Sequence, residues 1–490
     1  MKKKLVSLLC CLALVASMVV GCSSDDAKDP VDDNAVVEDA LRADEGKTLT
    51  IAHNQGEYIY EKFYEIGDKF TELTGIEVEW QEIPSSDWDT WCTAQLAAGT
   101  EPDIFWGLVA GKDYFDQGKI ADLTDYYAKE NVFNGKVWAD CFTEGGLDNT
   151  WSSDGTKQIC TAMTYATVNL YYNIDAMQDL GLGTEPPATF TELVEMMDVA
   201  LEDGTYIPMS VMNSMGWNLT WIEPDFFDSL FADTDVVEKL DIIVENGYLD
   251  ESEILLGLKT GIISYDDPRI EEYFTLMKDL TKYYNEDFNS CSWEYEGLFN
   301  DNKVLFTFNG GWYPSQVVEN GYTVNYGTAG KPTVDKEFAE YGLAEAIQWA
   351  YPTGEAALFV SQKCADDGEL SAAVKFLQFM TDYQTGAQMY IDAVMLGTCV
   401  DGVKLPEEMA ALEDVVYGKH KQSNLQNMFK FNAEVGSEYW TMYTAYLDPA
   451  STQSAADFVE DLKAELLPLL DEAIEDYTTY DVLSYVDQVQ

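Results

Sequence analysis

The sequence predicts an α/β fold that begins with a parallel sheet. Between residues 49 and 106, short segments rich in β-branched and aromatic residues alternate with longer segments of helical period. The predicted strands are residues 49–53, 76–80 and 103–106. Strands that alternate with helices over short links favour a parallel sheet with helices packed on its faces.

The helices between these strands have recognisable ends. In the first helix, residues 58–73, Phe63, Ile66 and Phe70 recur on one face, and Gly75 is the expected C-terminal stop. The second helix is expected to begin after Ser85 and Ser86, which can cap its free N–H groups, and to end at Gly99.

The rest of the chain continues the mixture of strands and helices. A capping box from Thr189 to Glu192 opens a helix that should stop at Gly204, and Pro468 should kink the last helix. The other expected elements are a hairpin over 151–159 around Asp154 and Gly155, an extended run over 162–172, a strand over 299–308, a helix over 371–380 and a final helix over 458–473.

The N-terminus has the features of an export signal. Lys2, Lys3 and Lys4 precede an apolar run over 5–20, which is short of the roughly 20 residues that cross a bilayer. Small residues before Cys22 resemble a bacterial lipobox, which implies that residues 1–21 are a signal peptide and that Cys22 is lipidated, with palmitate among the lipids. Residues 22–46 then form an acidic, flexible tether. The expected location is extracytoplasmic, at the cell membrane, with the lipid as the anchor.

Composition limits the classes of function. The net charge is −60, from 28 basic and 88 acidic residues, which argues against nucleic acid as a partner because phosphate binding needs cations. Hydrophobic residues make up 47% and aromatic residues 13%, enough for a large core. The roughly 440 residues after the tether predict two domains, or one domain with a large insertion.

No residue pattern indicates a metal, a cofactor or a catalytic centre. Six cysteines follow Cys22 without CxxC spacing, so a zinc site is not expected. Cys141 and Cys160 flank the predicted hairpin and could pair, although free buried thiols are the simpler expectation. Signatures of zinc proteases, P-loop enzymes and α/β-hydrolases are absent from the sequence, which has two histidines.

Several short motifs occur in a fixed order along the chain. They are FTELTGIEV at 70–78, GTEPDIFW at 99–106, GKIADL at 118–123, LYYNID at 170–175, PATFTEL at 187–193, FNGGW at 308–312 and the helix at 372–380. In this order the motifs resemble the extracellular solute-binding proteins (family 1, maltose-binding-protein-like) of bacterial carbohydrate ABC transporters.

The resemblance implies a type II-like periplasmic-binding-protein fold, with two α/β lobes joined by crossing hinge strands and a ligand cleft between them. The N-terminal lobe would comprise 47–163 with 358–412, and the C-terminal lobe 164–357 with 413–490. The crossings would fall near Thr164, Phe359 and Leu412. The implied protein is a monomer that performs no catalysis, binds a carbohydrate and delivers it to the permease subunits of an ABC importer.

Candidate ligand residues come from position within these motifs. Indoles can stack on the C–H faces of sugar rings, and the resemblance places Trp106, Trp312 and Trp440 at sugar-contacting positions and Trp217 and Trp221 in a cleft wall. The loop after the first strand ends near a helix N-terminus, where oxygen ligands are favoured, and offers Asn54 and Glu57. Tyr165, at the first crossing, is a candidate for ligand contact or for the hinge.

Two alternatives stay open from the sequence. The same fold could bind a peptide, a polyol or another polar solute. A secreted glycoside hydrolase would need two carboxyl groups roughly 5–10 Å apart across a sugar cleft, for which Glu294 and Glu296 are the candidate pair. The sequence leaves the sugar, its length and its linkage unspecified.

Overall fold

A computed structural model describes the part of the chain that follows the predicted leader and most of the tether. It describes residues 38–489 apart from 57–58, 85–86, 109, 166, 214–216, 292–293, 348, 351–354, 395 and 407–419. The predicted lipidation site Cys22 and the predicted helix-capping residues Ser85 and Ser86 therefore lie outside the described residues.

The described residues form strands that belong to three sheets. In chain order the strands are β1 (Thr48–His53), β2 (Glu77–Glu82), β3 (Ile104–Trp106), β4 (Thr161–Tyr165), β5 (Val168–Asn173), β6 (Ile207–Ser210), β7 (Val304–Gly310), β8 (Tyr326–Ala329), β9 (Trp349–Ala350), β10 (Glu355–Val360), β11 (Gly397–Thr398) and β12 (His420–Lys421).

Helices surround these sheets, with short 3₁₀ turns between them. The α-helices are α1 (Tyr60–Thr74), α2 (Trp88–Ala98), α3 (Gly111–Asp116), α4 (Thr124–Tyr127), α5 (Ile174–Asp179), α6 (Phe190–Asp203), α7 (Trp217–Leu230), α8 (Val236–Leu240), α9 (Glu251–Thr260), α10 (Pro268–Leu280), α11 (Glu294–Asn300), α12 (Tyr313–Asn320), α13 (Gln362–Asp366), α14 (Leu370–Met380), α15 (Gly386–Val394), α16 (Ala433–Leu447), α17 (Ala455–Leu466), α18 (Leu470–Asp476) and α19 (Val486–Val489).

The first sheet has six strands in the order β11-β4-β10-β3-β1-β2. Strand β1 pairs in parallel with both β2 and β3, as the sequence predicts, and β10 lies antiparallel between β3 and β4. Gly75 and Gly99 end α1 and α2 in the left-handed conformation, which glycine adopts without a steric penalty. The predicted opening of the fold is therefore confirmed.

The second sheet has four strands in the order β6-β7-β5-β8. The predicted single extended run over 162–172 is corrected here, because β4 and β5 belong to different sheets. The predicted strand over 299–308 is also corrected: α11 continues to Asn300, and β7 begins only at Val304. Asn302 lies between them at a φ of 58°, a left-handed turn that separates helix from strand.

The order of the strands requires two passages of the chain between the large sheets, and the helices after β12, whose apolar residues belong to the core around the second sheet, require a third. The passages lie between β4 and β5, between β9 and β10, and between β11 and β12. Phe359, near which one crossing was expected, lies inside β10 opposite Phe105, so that passage precedes Glu355. Each sheet with its helices is one lobe of an α/β protein: the first lobe contains the six-stranded sheet and the second lobe the four-stranded sheet.

Each lobe has its own apolar core. In the first lobe, Ile51 and Phe63 are fully buried with the apolar face of α14. The core of the second lobe is richer in aromatic rings, including Phe226, Tyr273 and Phe274. Burial of this apolar surface, at roughly 25 cal/mol per Å², is the main stabilising contribution to each lobe.

Several smaller predictions can also be compared with the structure. The six cysteines after Cys22 are all buried free thiols, so Cys141 and Cys160 are not paired. The last helical segment breaks at 467–469 around Pro468, as expected. Among the described residues, the search for a helix long and apolar enough to span a membrane finds none.

Candidate functional site

The edges of the two sheets meet where the chain first passes between lobes. In the first lobe, β1 and β3 run in parallel and end at His53 and Trp106, at the same edge as the end of β4. In the second lobe, β7 ends at Gly310 opposite Val168, the first residue of β5. Since β4 and β5 are consecutive, these two edges face the same crossing, and the ends of such strands are the usual ligand site in α/β folds.

Two indoles form a corner at the second-lobe edge. Trp312 follows the end of β7, and its ring lies on Gly310: a Cβ atom added there would be 2.3 Å from ring carbons Cζ2 and Cη2. The ring of Trp221, from α7, is nearly perpendicular to it, at 82° and a centroid distance of 5.9 Å. Both side chains are half-buried, so each retains exposed ring surface that a ligand could contact.

A buried ion pair fixes the helix that carries Trp221. The Lys331 ammonium donates a hydrogen bond of 3.0 Å to the carbonyl of Trp221 and forms a salt bridge with Asp225 on the same helix. Burial raises the pKa of Asp225, and the charge of Lys331 opposes that change. Because the ion pair lies in the protein interior, removal of either partner would leave an uncompensated buried charge.

The same helix holds the chain where it returns to the second lobe. Asp228 accepts hydrogen bonds from the backbone N–H of Ser423, at 3.0 Å, and from the Ser423 hydroxyl. Burial raises the pKa of Asp228 to about 7. Gln422 donates to Asp225 at 3.4 Å, so α7 contacts the returning segment at two positions.

A carboxylate lies at the same edge of the second sheet. Asn309, the residue before Gly310, donates from Nδ2 to Oε1 of Glu296 at 2.8 Å, and its own Oδ1 accepts the N–H of Gly310 at 2.7 Å. The Tyr295 hydroxyl lies 3.5 Å from the same carboxylate oxygen. Burial raises the pKa of Glu296, although its side chain remains partly exposed.

Comparison with known proteins identifies the family. A sequence profile described as bacterial extracellular solute-binding protein matches residues 65–415, more than two thirds of the chain. The chain belongs to this family. No curated protein matches the sequence.

Solved structures of solute-binding proteins share the fold of this chain at low identity. A structure from work on xylan utilisation by the thermophilic bacterium Caldanaerobius polysaccharolyticus has a TM-score of 0.63 at 18% identity, covering 86% of this chain and 100% of the other. Maltose-bound MalE3 of T. maritima gives 0.59 at 18% identity, with 86% and 100% covered. RafE, known from Streptococcus pneumoniae, gives 0.58 at 18% identity in its raffinose complex, with 86% and 99% covered. These likenesses establish the two-lobed fold.

In this solute-binding protein, Trp106 does not offer an open indole face. Its side chain is fully buried, and its ring packs edge-on against Phe63 at 4.7 Å and Tyr390 at 5.0 Å. Trp106 was expected to present its indole ring to the cleft, and the structure corrects this expectation. The ring turns from the end of β3 into the apolar core beneath the sheet edge rather than outwards.

The loop after β1 is only partly described. Asn54 is half-buried at the sheet edge and accepts a 3.4 Å hydrogen bond from Gln55, whereas Glu57 lies outside the described residues. His53 belongs to the strand and packs among aromatic rings, and its burial lowers its pKa to about 4. Asn54 thus remains a ligand candidate, and His53 is a neutral core residue.

Tyr165 lies at the crossing itself. It is 5% exposed, its hydroxyl is 2.9 Å from the Thr143 hydroxyl, and it donates to the carbonyl of Glu144 at 3.1 Å. The phenol therefore ties the last residue of β4 to the loop that precedes that strand. Of the two roles expected for Tyr165, this geometry favours the hinge.

Trp440 belongs to a different group of side chains. Its ring packs against Tyr439 and Tyr443, and the Lys430 ammonium lies 5.2 Å from its centroid. A cavity of about 410 Å³ opens beside Lys430, between the N-terminal ends of α9 and α16. Trp440 is half-buried there, next to this cavity rather than in the corner of Trp312 and Trp221.

Two of the sequence candidates cannot be placed by their side chains. Trp217 begins α7, but its side chain is outside the described part of the structure. The side chain of Glu294 is also outside it, so only Glu296 of the carboxyl pair proposed for the hydrolase alternative is described.

Asn309 was part of the FNGGW motif, yet no pattern in the sequence shows that it would contact Glu296. Among the described residues, no group of three or more His, Cys, Asp or Glu side chains could hold a metal ion.

Proposed function

We propose that this protein captures a saccharide in the cleft between its lobes. The observation that carries the proposal is the corner of Trp312 and Trp221 at the sheet edge beside the crossing. Perpendicular, partly open indoles suit the flat C–H faces of pyranose rings, and carboxylate and amide groups such as those of Glu296 and Asn54 suit the surrounding hydroxyls. Complexes of related folds with raffinose and maltose support the same class of ligand.

The saccharide would be delivered to the permease subunits of an ABC importer. The apolar run over 5–20 followed by Cys22 supports an extracytoplasmic location with a lipid on Cys22 as the anchor. In this proposal the protein is a monomer, it contacts the membrane only through that lipid, and nucleic acid is not a partner.

Ligand binding would act through closure of the lobes. A sugar that touches both lobes stabilises the closed conformation by the difference between its affinities for the closed and open forms. The permease would then recognise the closed form, and ATP hydrolysis in other subunits would drive transport. No covalent step is required of the binding protein.

Calorimetric titration of the mature chain tests this function. The probes are maltotriose, raffinose, xylotriose and chitotriose, and each mixture is then analysed for cleavage products by chromatography. Binding of at least one sugar without products supports the proposal. Release of shorter sugars would instead indicate the glycoside hydrolase, and binding of only peptides or polyols in a parallel screen would reassign the ligand.

A further inference from the structure

The Glu296 carboxylate is partly buried, and among the described residues no cation balances it. Among the described residues, no lysine, arginine or histidine forms a salt bridge with it, and its hydrogen-bond donors are Asn309 and Tyr295, both to Oε1. No described residue donates to Oε2, and this oxygen is not among the enclosed polar atoms that lack a partner, so it is open to solvent or to a ligand. A partly desolvated carboxylate with a free oxygen gains free energy from any donor that reaches it.

The position of this oxygen is set by the end of strand β7. Asn309, Gly310 and Trp312 are almost consecutive, and side chains of successive strand residues point to opposite faces of a sheet. The Trp312 ring covers Gly310 on one side, and Asn309 holds Glu296 on the other. The end of β7 therefore has the apolar ring of Trp312 on one face of the sheet and the Glu296 acceptor on the other face.

A fully buried acceptor without a donor lies beside Asn309. Asn169 is directly opposite it in β5 and is fully buried. Its Oδ1 has no hydrogen-bond donor in the described residues. One buried acceptor and one partly exposed carboxylate oxygen therefore lie near a stacking surface, and neither receives a hydrogen bond from the described side chains.

We infer that Glu296 determines the charge class of the ligand, selecting neutral saccharides that present a hydroxyl donor and rejecting acidic sugars such as uronates. This inference rests on the proposed function. A hydroxyl of a neutral sugar can donate to Oε2, forming a charge-assisted hydrogen bond. A sugar carboxylate in that place would bring two negative charges together in a partly desolvated site, and their repulsion would make the uronate bind more weakly than the neutral sugar.

The test compares neutral sugars with their oxidised forms. The probes are maltotriose and cellotriose, each beside the derivative whose C6 hydroxyls are oxidised to carboxylates, titrated into the mature chain at pH 7. We expect the wild-type protein to bind a neutral trisaccharide at least 100-fold more tightly than its uronate. In Glu296→Gln, affinity for the neutral sugar should fall about tenfold and the preference over the uronate should narrow to about tenfold or less.

A matched variant corrects for the change in net charge. Glu77→Gln makes the same substitution on an exposed position at the start of β2, and it should preserve both affinity and preference. Equal preference in the wild type and in Glu296→Gln would overturn the inference while leaving the binding function intact. Failure of the wild type to bind any saccharide, in this set or in the broader panel, would overturn the proposed function itself.

A measurement on the wild type covers the case in which Glu296→Gln does not fold. Burial raises the pKa of Glu296, so its carboxylate becomes protonated at higher pH than an ordinary glutamate. The preference for neutral sugar should therefore shrink as the pH falls through the range in which Glu296 is protonated but the uronates, whose pKa is lower, remain ionised. A preference that is constant over this range would contradict the role of Glu296.

Discussion

Single tryptophans at the same sheet edges have different environments. Trp106 ends a buried strand and Trp312 follows one, and both matched a family position, so the sequence could not separate them. The structure separates them through their neighbours: Trp106 packs on Phe63 and Tyr390, whereas Trp312 lies over a glycine. Which way a ring turns depends on distant residues such as Tyr390, and no local pattern encodes that.

Replacing Trp312 with alanine should weaken saccharide binding by about 5- to 150-fold, because an aromatic platform contributes roughly 1–3 kcal/mol to such contacts. Calorimetry with the sugar that binds the wild type measures the effect. Trp80→Ala is the control, since Trp80 is a half-buried residue in the middle of β2 that packs on Phe63. It should lower the melting temperature and leave affinity unchanged, and an equal loss of affinity in both variants would contradict the assignment.

The buried histidine predicts a pH dependence of stability. The pKa of His53 falls from 6.5 to about 4 in the folded protein, because burial disfavours its charged form. Between these values the unfolded chain binds more protons than the folded one. Stability is therefore lost as the pH falls from 6.5 to 4, by about 3 kcal/mol if this group acts alone.

His53→Phe should remove this loss of stability at low pH, since phenylalanine can occupy the site among Tyr60, Phe63 and Trp80 without titrating. Urea unfolding of both proteins at several pH values gives the comparison. The difference in unfolding free energy between variant and wild type should shift in favour of the variant as the pH decreases. A difference that stays constant with pH would show that His53 is not the titrating group.

At the scale of elements, local chemistry predicted helix ends better than strand starts. Thr189 caps α6 and Gly204 ends it, as the sequence indicates, because the capping hydrogen bonds are local. The start of β7 was misplaced, since Phe299 is apolar in either a helix or a strand. The passage between sheets within 162–172 could not be predicted either. Both β4 and β5 are buried, so their sequences form one continuous apolar segment with no sign of a break.

The turn after β7 supplies a prediction of its own. Gly310→Ala would place a Cβ atom 2.3 Å from the Trp312 ring, so the indole must move away from the strand end. We expect a loss of saccharide affinity of at least fivefold, together with a destabilisation of about 1–3 kcal/mol from overpacking.

Gly327→Ala is the matched control for this turn. A Cβ at Gly327 would come within 2.1 Å of the Tyr172 ring in the same sheet, but that ring is not part of the tryptophan corner. Calorimetry and thermal melting of both variants separate stability from binding. The assignment fails if the two substitutions reduce affinity equally.

At the scale of the whole molecule, the parallel opening of the first sheet could be predicted from alternation alone. The second lobe could not, because its sheet joins β5, β6, β7 and β8 from distant parts of the chain, and only the family resemblance implied it. No sequence pattern predicted that Glu296 and Asn169 would lie near each other as hydrogen-bond acceptors, because their environment arises from the pairing of β5 with β7. The contacts between the lobes could not be predicted from the sequence either.

One such contact is an ion pair between Lys421 in β12 and Asp148, in the loop that precedes β4 of the first lobe. The ammonium and carboxylate are 2.7 Å apart, and both side chains are about one-third exposed. The segment of Lys421 is attached to the second lobe by the hydrogen bonds of Asp228 to Ser423. The pair therefore bridges the lobes and should favour the closed arrangement.

Lys421→Ala should reduce ligand affinity by about two- to fivefold, in line with the 0.2–1 kcal/mol typical of exposed pairs, and should weaken the salt dependence of binding. Lys259→Ala removes a pair with Asp471 that lies wholly in the second lobe and should have no such effect. Titrations at low and high salt provide the measurement. Unchanged affinity in Lys421→Ala at low salt would show that the pair does not contribute to closure.

The enclosure of all six cysteines after Cys22 has a practical consequence. Burial raises the pKa of the Cys92 thiol to about 12, and the thiols of Cys160 and Cys364 are shifted in the same direction, so little reactive thiolate forms. A cysteine introduced at Val318, which is 76% exposed on the helix that follows Trp312, would accept a maleimide fluorophore selectively. The protein could then serve as an optical sensor whose emission reports sugar in solution without any added reagent.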